Sequence, residues 1–301
     1  MNPKLLDYLI CPNCQGDKLS LYKSVEENQM VKEGSLTCLT CQKQYLISDF
    51  VLDLIPSIGA PQKEQADFFS QHDYDFVGSP FWRANDQNAL SRFARIIKSG
   101  WLMADIGCGP GRASLPLKDC GAEVIGFDVA RGLVKRAIDE SVKRGLTDRY
   151  FYFVADAENI PLKPQIFDAV LIYGVLHHVN DPLKTLKEGH RLLKPLGFYF
   201  GHENNKTIFR RIFDFLMRLK KIWNEDAGSH PLFSIAELKE LGQKAGLSLS
   251  IESSVFLPPH LFNLLGKFST PILRITDMIF SKIPFFKNQG GVLIIIGRKN
   301  A

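Results

Sequence analysis

Residues 101–113 have the sequence WLMADIGCGPGRA, an apolar run that leads into three glycines spaced as G-x-G-x-G. The apolar run predicts a buried strand, and residues 113–120 predict a helix. Glycine adopts positive φ and has no Cβ, so a ligand can lie directly against the backbone of such a turn. The stretch therefore predicts a nucleotide-type ligand site at the end of a strand in an α/β sheet.

Two side chains in this stretch narrow the choice of ligand. Arg112 stands where the dinucleotide fingerprint G-x-G-x-x-G has its third glycine. Asp105 precedes the first glycine by two residues, where a carboxylate would repel a pyrophosphate but attract an ammonium group. Both features favour S-adenosylmethionine, which has no phosphate and carries an α-ammonium group.

Further strands follow, and two of them also end in acids. Residues 123–128 predict a strand ending at Asp128, and residues 150–157 predict one ending at Asp156. At these ends Asp128 would bind both ribose hydroxyls and Asp156 the adenine amino group. The alternative is that each acid caps a following helix. Strands over 167–174 and 197–203, with helices near 131–144 and 182–193, predict a doubly wound, mostly parallel α/β sheet.

These motifs resemble the class I S-adenosylmethionine-dependent methyltransferases, particularly the group acting on small molecules and lipids. The resemblance covers about residues 65–205 and rests on 104–111, Asp128, 156–161, 167–178 and 193–197. It implies a seven-stranded sheet with an antiparallel last strand, within a domain over 62–301. Leu196 departs from the family, which usually has glycine before the fifth strand. The implied cofactor-binding residues are Asp105, Ile106, Gly107, Cys108, Gly109, Gly111, Asp128, Val129, Asp156, Ala157 and Tyr173.

Methyl transfer from a sulfonium needs alignment of the acceptor, and a general base only where the acceptor loses a proton. Candidate bases or positioning residues are His177 and His178 after the fourth strand, and His202, with Glu203, after the fifth. Alternatively, one of the adjacent histidines orders the loop or touches the cofactor, and the other is structural.

Cys11, Cys14, Cys38 and Cys41 form two C-x2-C pairs near the N-terminus. Two such turns complete a tetrahedron of thiolates around a structural zinc ion; rubredoxin-like iron and a ribbon without metal are the alternatives. Residues 5–12, 36–38 and 45–56 resemble the zinc-ribbon family of small methyltransferase activator subunits. The resemblance implies a ribbon domain over 1–58 and a possible protein partner.

The 37 basic and 32 acidic residues are unevenly distributed, because residues 204–301 carry 14 basic and 7 acidic side chains. The chain also carries an apolar, proline-interrupted insert at about 206–286, which is predicted to form a cap over the substrate. Because basic residues border its apolar residues, the insert also predicts a peripheral membrane contact. The absence of a signal peptide or an 18-residue apolar run predicts a cytoplasmic protein. The expected acceptor is small or lipid-like. An RNA methyltransferase and a non-catalytic docking protein are the alternatives, and nucleic-acid binding is disfavoured because basic residues alternate with bulky apolar ones.

Overall fold

The computed structural model describes residues 1–55, 79–207 and 232–300, and these form two sheets. The N-terminal sheet contains β1 Leu19–Glu27, β2 Met30–Cys38, β3 Gln44–Ser48 and β4 Val51–Leu52. The large sheet contains β5 Leu102–Ile106, β6 Glu123–Asp128, β7 Tyr150–Val154, β8 Phe167–Tyr173, β9 Leu193–Asn204, β10 Leu247–Ser254 and β11 Val292–Lys299. Its strand order is β10-β11-β9-β8-β5-β6-β7.

The large sheet is parallel except at β11. Strands β5, β6, β7, β8 and β9 pair in parallel with their neighbours, while β11 runs antiparallel to both β9 and β10. The predicted mostly parallel seven-stranded sheet with an antiparallel last strand is confirmed. The chain reverses its direction of winding between β5 and β8, and in such sheets ligands bind beyond the carboxyl ends of the strands at this point.

Helices cover both faces of the large sheet. They are α1 Pro80–Ala94, α2 Arg131–Lys143, α3 Pro182–Leu192 and α4 Ile235–Lys244. Successive residues of a strand point to opposite faces, so Met103 enters a core with Phe93 of α1, whereas Ala104 enters a core with Leu186 of α3. Burial on both faces explains why the central strands are almost continuously apolar.

The N-terminal sheet is docked on the edge of the large one. The Leu54 amide donates to the Val154 carbonyl at 2.9 Å, so the chain after β4 extends the large sheet beyond β7. The Ile10 amide donates to Pro161 at 3.0 Å, and the Lys163 amide donates to Tyr8 at 2.9 Å. The two sheets share one hydrophobic core. The predicted domain boundary near residues 58–62 lies outside the described residues.

The C-terminal part closes the opposite edge. Helix α4 begins with a capping box, in which Ser234 and Glu237 each bind the other's backbone amide. Between β10 and β11 lie α5 Pro259–Leu265, a 3-10 turn over Gly266–Phe268, and α6 Ser269–Phe280. Among the described helices, none is long and apolar enough to span a bilayer.

The segment after the glycine turn and the backbone at Leu196 each bear on a prediction made from the sequence. The helix predicted over 113–120 is a short 3-10 helix over Leu115–Cys120, and Gly121 ends the segment at φ 73°. Leu196 adopts φ 61°, the left-handed conformation of the glycine usual at this turn. Most of the predicted cap segment before residue 232 lies outside the described residues.

Candidate cofactor site, catalytic residues and metal centre

The three glycines after β5 all adopt positive φ, with values of 67°, 52° and 81° for Gly107, Gly109 and Gly111. A Cβ at Gly107 would lie 2.6 Å from Val175, and one at Gly111 would lie 2.5 Å from Leu115. Gly107 and Gly111 therefore allow the side chains of Val175 and Leu115 to pack directly against the backbone. A Cβ at Gly109 would have only the tip of Leu133 within reach, at 4.0 Å. Gly109 thus leaves room beside the backbone at the strand ends, where a ligand can approach.

Asp105 carries a buried carboxyl group at the end of β5. Its side chain is 1% exposed, and in the part of the chain that the structure describes neither oxygen meets a donor at hydrogen-bonding geometry. Burial raises the pKa of Asp105 to about 7, and the nearby Ser114 offsets this only partly. Such a group is costly unless a cationic partner arrives. The α-ammonium group of S-adenosylmethionine is a partner of the required charge.

Asp128 connects the glycine turn to the end of β6. Its carboxylate accepts from the amides of Gly109 and Ala130, both at 2.9 Å, and burial raises its pKa. Each carboxylate oxygen keeps a further lone pair for ribose hydroxyls. Asp156, one strand further at the end of β7, accepts from the Glu158 amide at 2.8 Å and is only partly buried.

The helix-capping alternative does not fit these three acids. The described helix after Asp105 has Ser114 as its N-cap, and α2 has Ala130 as its N-cap. Asp156 binds an amide within a turn. Because β5, β6 and β7 are parallel neighbours, the carboxyl groups lie along one edge of the sheet. Of the other predicted cofactor residues, Ile106, Cys108, Ala157 and Tyr173 are buried and Val129 is half-buried.

Glu203 organises the loop after β8. Its side chain is fully buried, and its Oε1 accepts from the amides of Val175 at 3.0 Å and Leu176 at 2.7 Å. Its Oε2 lies 2.6 Å from Nδ1 of His177. When Nδ1 donates to this carboxylate, the lone pair of the neutral ring lies on Nε2, as a general base requires. The side chain of His177 is 10% exposed.

The other two histidines have different surroundings. His202 is 4% exposed, its Nε2 contacts the Asn85 side chain at 3.0 Å, and its ring stacks on Tyr173 with centroids 4.4 Å apart. Burial, with a contribution from Arg112, lowers the pKa of His202 to about 3, so this ring stays neutral. His178 packs against the ring of His177 at 4.0 Å.

Helix α1 contributes site residues that the sequence analysis missed. Asp86 accepts two hydrogen bonds from Arg112, at 2.8 and 2.7 Å, and one from the Tyr173 hydroxyl at 2.8 Å. The Arg112 guanidinium also lies 4.7 Å from the ring of Trp82. These contacts fix α1 across the glycine turn and β8. No local motif marks Asp86 or Asn85. The one signal in the sequence is Arg112, which replaces the third glycine and, once partly buried, needs an anionic partner such as Asp86.

The four predicted metal ligands converge. The sulfur atoms of Cys11, Cys14, Cys38 and Cys41 all lie within 4.8 Å of one another, and Cys11–Cys41 and Cys14–Cys38 are each 3.6 Å apart. Zn–S bonds of about 2.3 Å at tetrahedral angles place sulfurs about 3.8 Å apart, which this set matches. Both knuckles turn through a left-handed glutamine directly after the second cysteine, Gln15 at φ 61° and Gln42 at φ 60°.

The chain is similar to known methyltransferases. Residues 104–201 match the family model described as a methyltransferase domain. The Ruegeria pomeroyi protein named ubiquinone biosynthesis O-methyltransferase is 40% identical over 109 residues, which is 36% of this chain and 43% of that protein. The chain thus spans less than half of this relative's length.

Solved structures share the fold. A methyltransferase of Thermotoga maritima, described as a possible histamine N-methyltransferase, superposes with a TM-score of 0.55 at 20% identity, covering 80% of this chain and all of that one. A chain from the complex between the Haloferax volcanii Trm112 methyltransferase activator and a protein assigned as a methyltransferase superposes with a TM-score of 0.52 at 20% identity, covering 81% of this chain and 100% of that chain.

Proposed function

We propose that this protein transfers a methyl group from S-adenosylmethionine to a small-molecule or lipid-like acceptor. The observation that carries the proposal is Asp105, a buried carboxyl without a hydrogen-bond partner among the described residues, beside a glycine turn that leaves room for a ligand. The match of residues 104–201 to a methyltransferase domain supports it.

The residues present fit this cofactor. Asp105 and the turn Gly107–Gly111 would hold the methionine end, Asp128 the ribose hydroxyls, and Asp156 with Ala157 the adenine. When bound, the cofactor supplies a methyl group already activated by its sulfonium. The protein then has to exclude water and align the acceptor. The contacts of Asp86 with Arg112 and Tyr173 support this, because they hold α1 against the same edge.

His177 is the strongest candidate for the base. A hydroxyl acceptor must lose its proton as the methyl group arrives, and Nε2 of His177 would accept it. Glu203 would then stabilise the imidazolium through the 2.6 Å contact at Nδ1. His202 has a pKa of about 3 and is held by Asn85, so it suits a positioning role through Tyr173.

Two observations support an oxygen acceptor on an apolar molecule: the name of a similar protein and the exposed apolar side chains between β10 and β11. The Ruegeria relative is named an O-methyltransferase of ubiquinone biosynthesis. Helices α5 and α6 expose several large apolar side chains on the C-terminal side of the sheet. An RNA acceptor is disfavoured, because basic side chains in this part alternate with bulky apolar ones.

An alkyl catechol, which joins an apolar tail to ionisable hydroxyls, is a suitable probe. We expect methyl transfer from labelled S-adenosylmethionine to fall by about 10²–10⁴-fold in His177→Gln, with cofactor affinity unchanged. His190→Gln is the matched control, because His190 lies on α3 beside Gly246, away from the strand ends. Equal rates in His177→Gln and the wild type would remove His177 as the base, and no transfer by the wild type would exclude this acceptor class.

For the N-terminal sheet we propose a structural zinc ribbon that supports the adenine side of the site. Ile10 lies directly before the first ligand and donates to the Pro161 carbonyl, and Asn159 donates to the Pro12 carbonyl at 3.3 Å. The first metal knuckle thus holds the loop that begins at Asp156. Four thiolates leave no open position for a substrate, so the ion would act through folding energy alone. A separate protein partner for the ribbon stays a prediction.

A further inference from the structure

Helix α6 carries three large apolar side chains on the side that faces away from the protein. Ile275, Met278 and Ile279 are 51%, 56% and 49% exposed, at the i, i+3, i+4 spacing of one helical face. Ile283 and Phe285 continue this surface beyond the helix, with Phe285 70% exposed. We call these five residues the α6 face.

The opposite side of α6 is fixed by a buried acid. Asp277 is 5% exposed and accepts from Asn88 at 2.9 Å, from the Ser254 hydroxyl at 2.5 Å and from the Val255 amide at 3.1 Å. Ordinary surface helices place their apolar stripe inward and their charges outward. Helix α6 buries an acid beside Leu273 and leaves three large apolar side chains exposed. The hydrogen bonds of Asp277 hold the helix in this rotation about its axis.

The exposed charges of the segment that carries the α6 face are all positive. Between residues 258 and 287 the only acid is the buried Asp277, whereas Lys267, Arg274, Lys282 and Lys287 are exposed. Within the described ranges, none of these four forms an ion pair. An exposed apolar strip with four exposed cations in the same segment complements a surface with anionic headgroups above an apolar interior.

We propose that the α6 face binds an anionic lipid bilayer, with its apolar side chains in the interfacial region and the four basic groups at lipid phosphates. A second copy of the chain fits less well, because a symmetric contact would bring the same four cations together. The inner side of α6 packs on α1, whose Asp86 reaches Arg112 in the cofactor turn. The site therefore lies one helix away from the proposed membrane surface.

Co-sedimentation of the full-length protein with vesicles tests this proposal. We expect binding to vesicles of phosphatidylcholine with phosphatidylglycerol, little binding to phosphatidylcholine alone, and weakening by salt. The double variant Ile275→Glu/Ile279→Glu should lose binding, and Lys282→Ala should weaken it about fivefold. Val142→Glu is the matched control, since Val142 is a helical side chain of similar exposure (52%) on α2.

The stability of the variants and their binding to vesicles together decide whether the α6 face binds a membrane. These side chains are exposed, so the variants should keep the wild-type unfolding midpoint and affinity for S-adenosylmethionine; Lys282→Ala supplies the test if the double variant does not fold. Equal binding to neutral and anionic vesicles, or unchanged binding by both variants, would overturn the proposal. So would light scattering that shows a dimer dissociated by the double variant, because a second copy would then cover the face. None of these readouts depends on methyl transfer.

Discussion

The unpartnered carboxyl of Asp105 leads to a prediction with two effects of opposite sign. Asp105→Asn keeps the shape of the side chain and removes its charge. The pKa of Asp105 rises from 3.8 to about 7 on folding, so the folded protein binds this proton more tightly than the unfolded chain. The destabilisation is therefore absent below about pH 4, grows between about pH 4 and 7, and is complete above that range.

The size of the stability effect follows from this shift. A rise from 3.8 to about 7 corresponds to about 4 kcal/mol at pH 8. We expect Asp105→Asn to recover on the order of half of it in the ligand-free protein, since a buried amide without partners is also costly. At pH 4 the variant and the wild type should unfold alike.

The effect on the cofactor has the opposite sign. Loss of one charge-assisted hydrogen bond to an ammonium group costs about 1.5–3 kcal/mol, so affinity for S-adenosylmethionine should fall roughly 10- to 150-fold. The wild-type affinity should also weaken by up to about tenfold for each pH unit below 7, because binding requires the ionised carboxylate. The variant should lack this dependence.

Urea unfolding at pH 4 and pH 8, with calorimetric titration of S-adenosylmethionine at pH 8, measures both effects. Asp119→Asn is the control, because Asp119 is exposed and lies away from the strand ends; it should change neither quantity. A variant of Asp105 that is less stable than the wild type at pH 8, or that binds the cofactor equally well, would refute the reasoning.

Three further predictions concern the turn, the metal and a helix cap. Gly109→Ala and Gly145→Ala both place a Cβ in open space at positive φ and should each cost about 1 kcal/mol of stability, but only Gly109→Ala should weaken cofactor binding in calorimetry. Elemental analysis should find one zinc per chain, and Cys38→Ser should lose it, lower the unfolding midpoint and weaken cofactor binding; bound iron would contradict the metal assignment. Ser234→Ala should lower the free energy of unfolding by about 1 kcal/mol, and an unchanged value would show that the capping box is not needed.

Much of the large sheet follows from local sequence patterns. The strands β5 to β8 are short, largely apolar runs, and the turn after β5 needs glycine at positions of positive φ. The acids at the ends of β5, β6 and β7 could be placed on one edge because parallel neighbours end together. The capping box of α4 was visible because both of its partners lie within one helical turn.

The contacts that complete the site join distant parts of the chain, and no local pattern marks them. Asp86 is 26 residues from Arg112 and 87 residues from Tyr173. The role of Glu203 beneath the loop after β8 depends on how β8 and β9 align. The docking of the ribbon on β7 likewise rests on backbone hydrogen bonds, which any sequence compatible with the strand can make.

The short helices after β10 show a different limit. Apolar residues are frequent all along residues 255–286, so their spacing does not tell which side of α6 is buried. The hydrogen bonds of Asp277 to Asn88, Ser254 and Val255 decide this, and they depend on tertiary contacts. The exposed apolar face is therefore a result of the structure.

The most direct test of the proposed function is transfer of label from methyl-tritiated S-adenosylmethionine into an extract of host cells, with the products separated into lipid, RNA, protein and small-molecule fractions. The proposal predicts label in the lipid or small-molecule fraction, with loss of transfer in His177→Gln and retention in His190→Gln. Label confined to RNA, or no transfer by a protein that binds the cofactor, would contradict it.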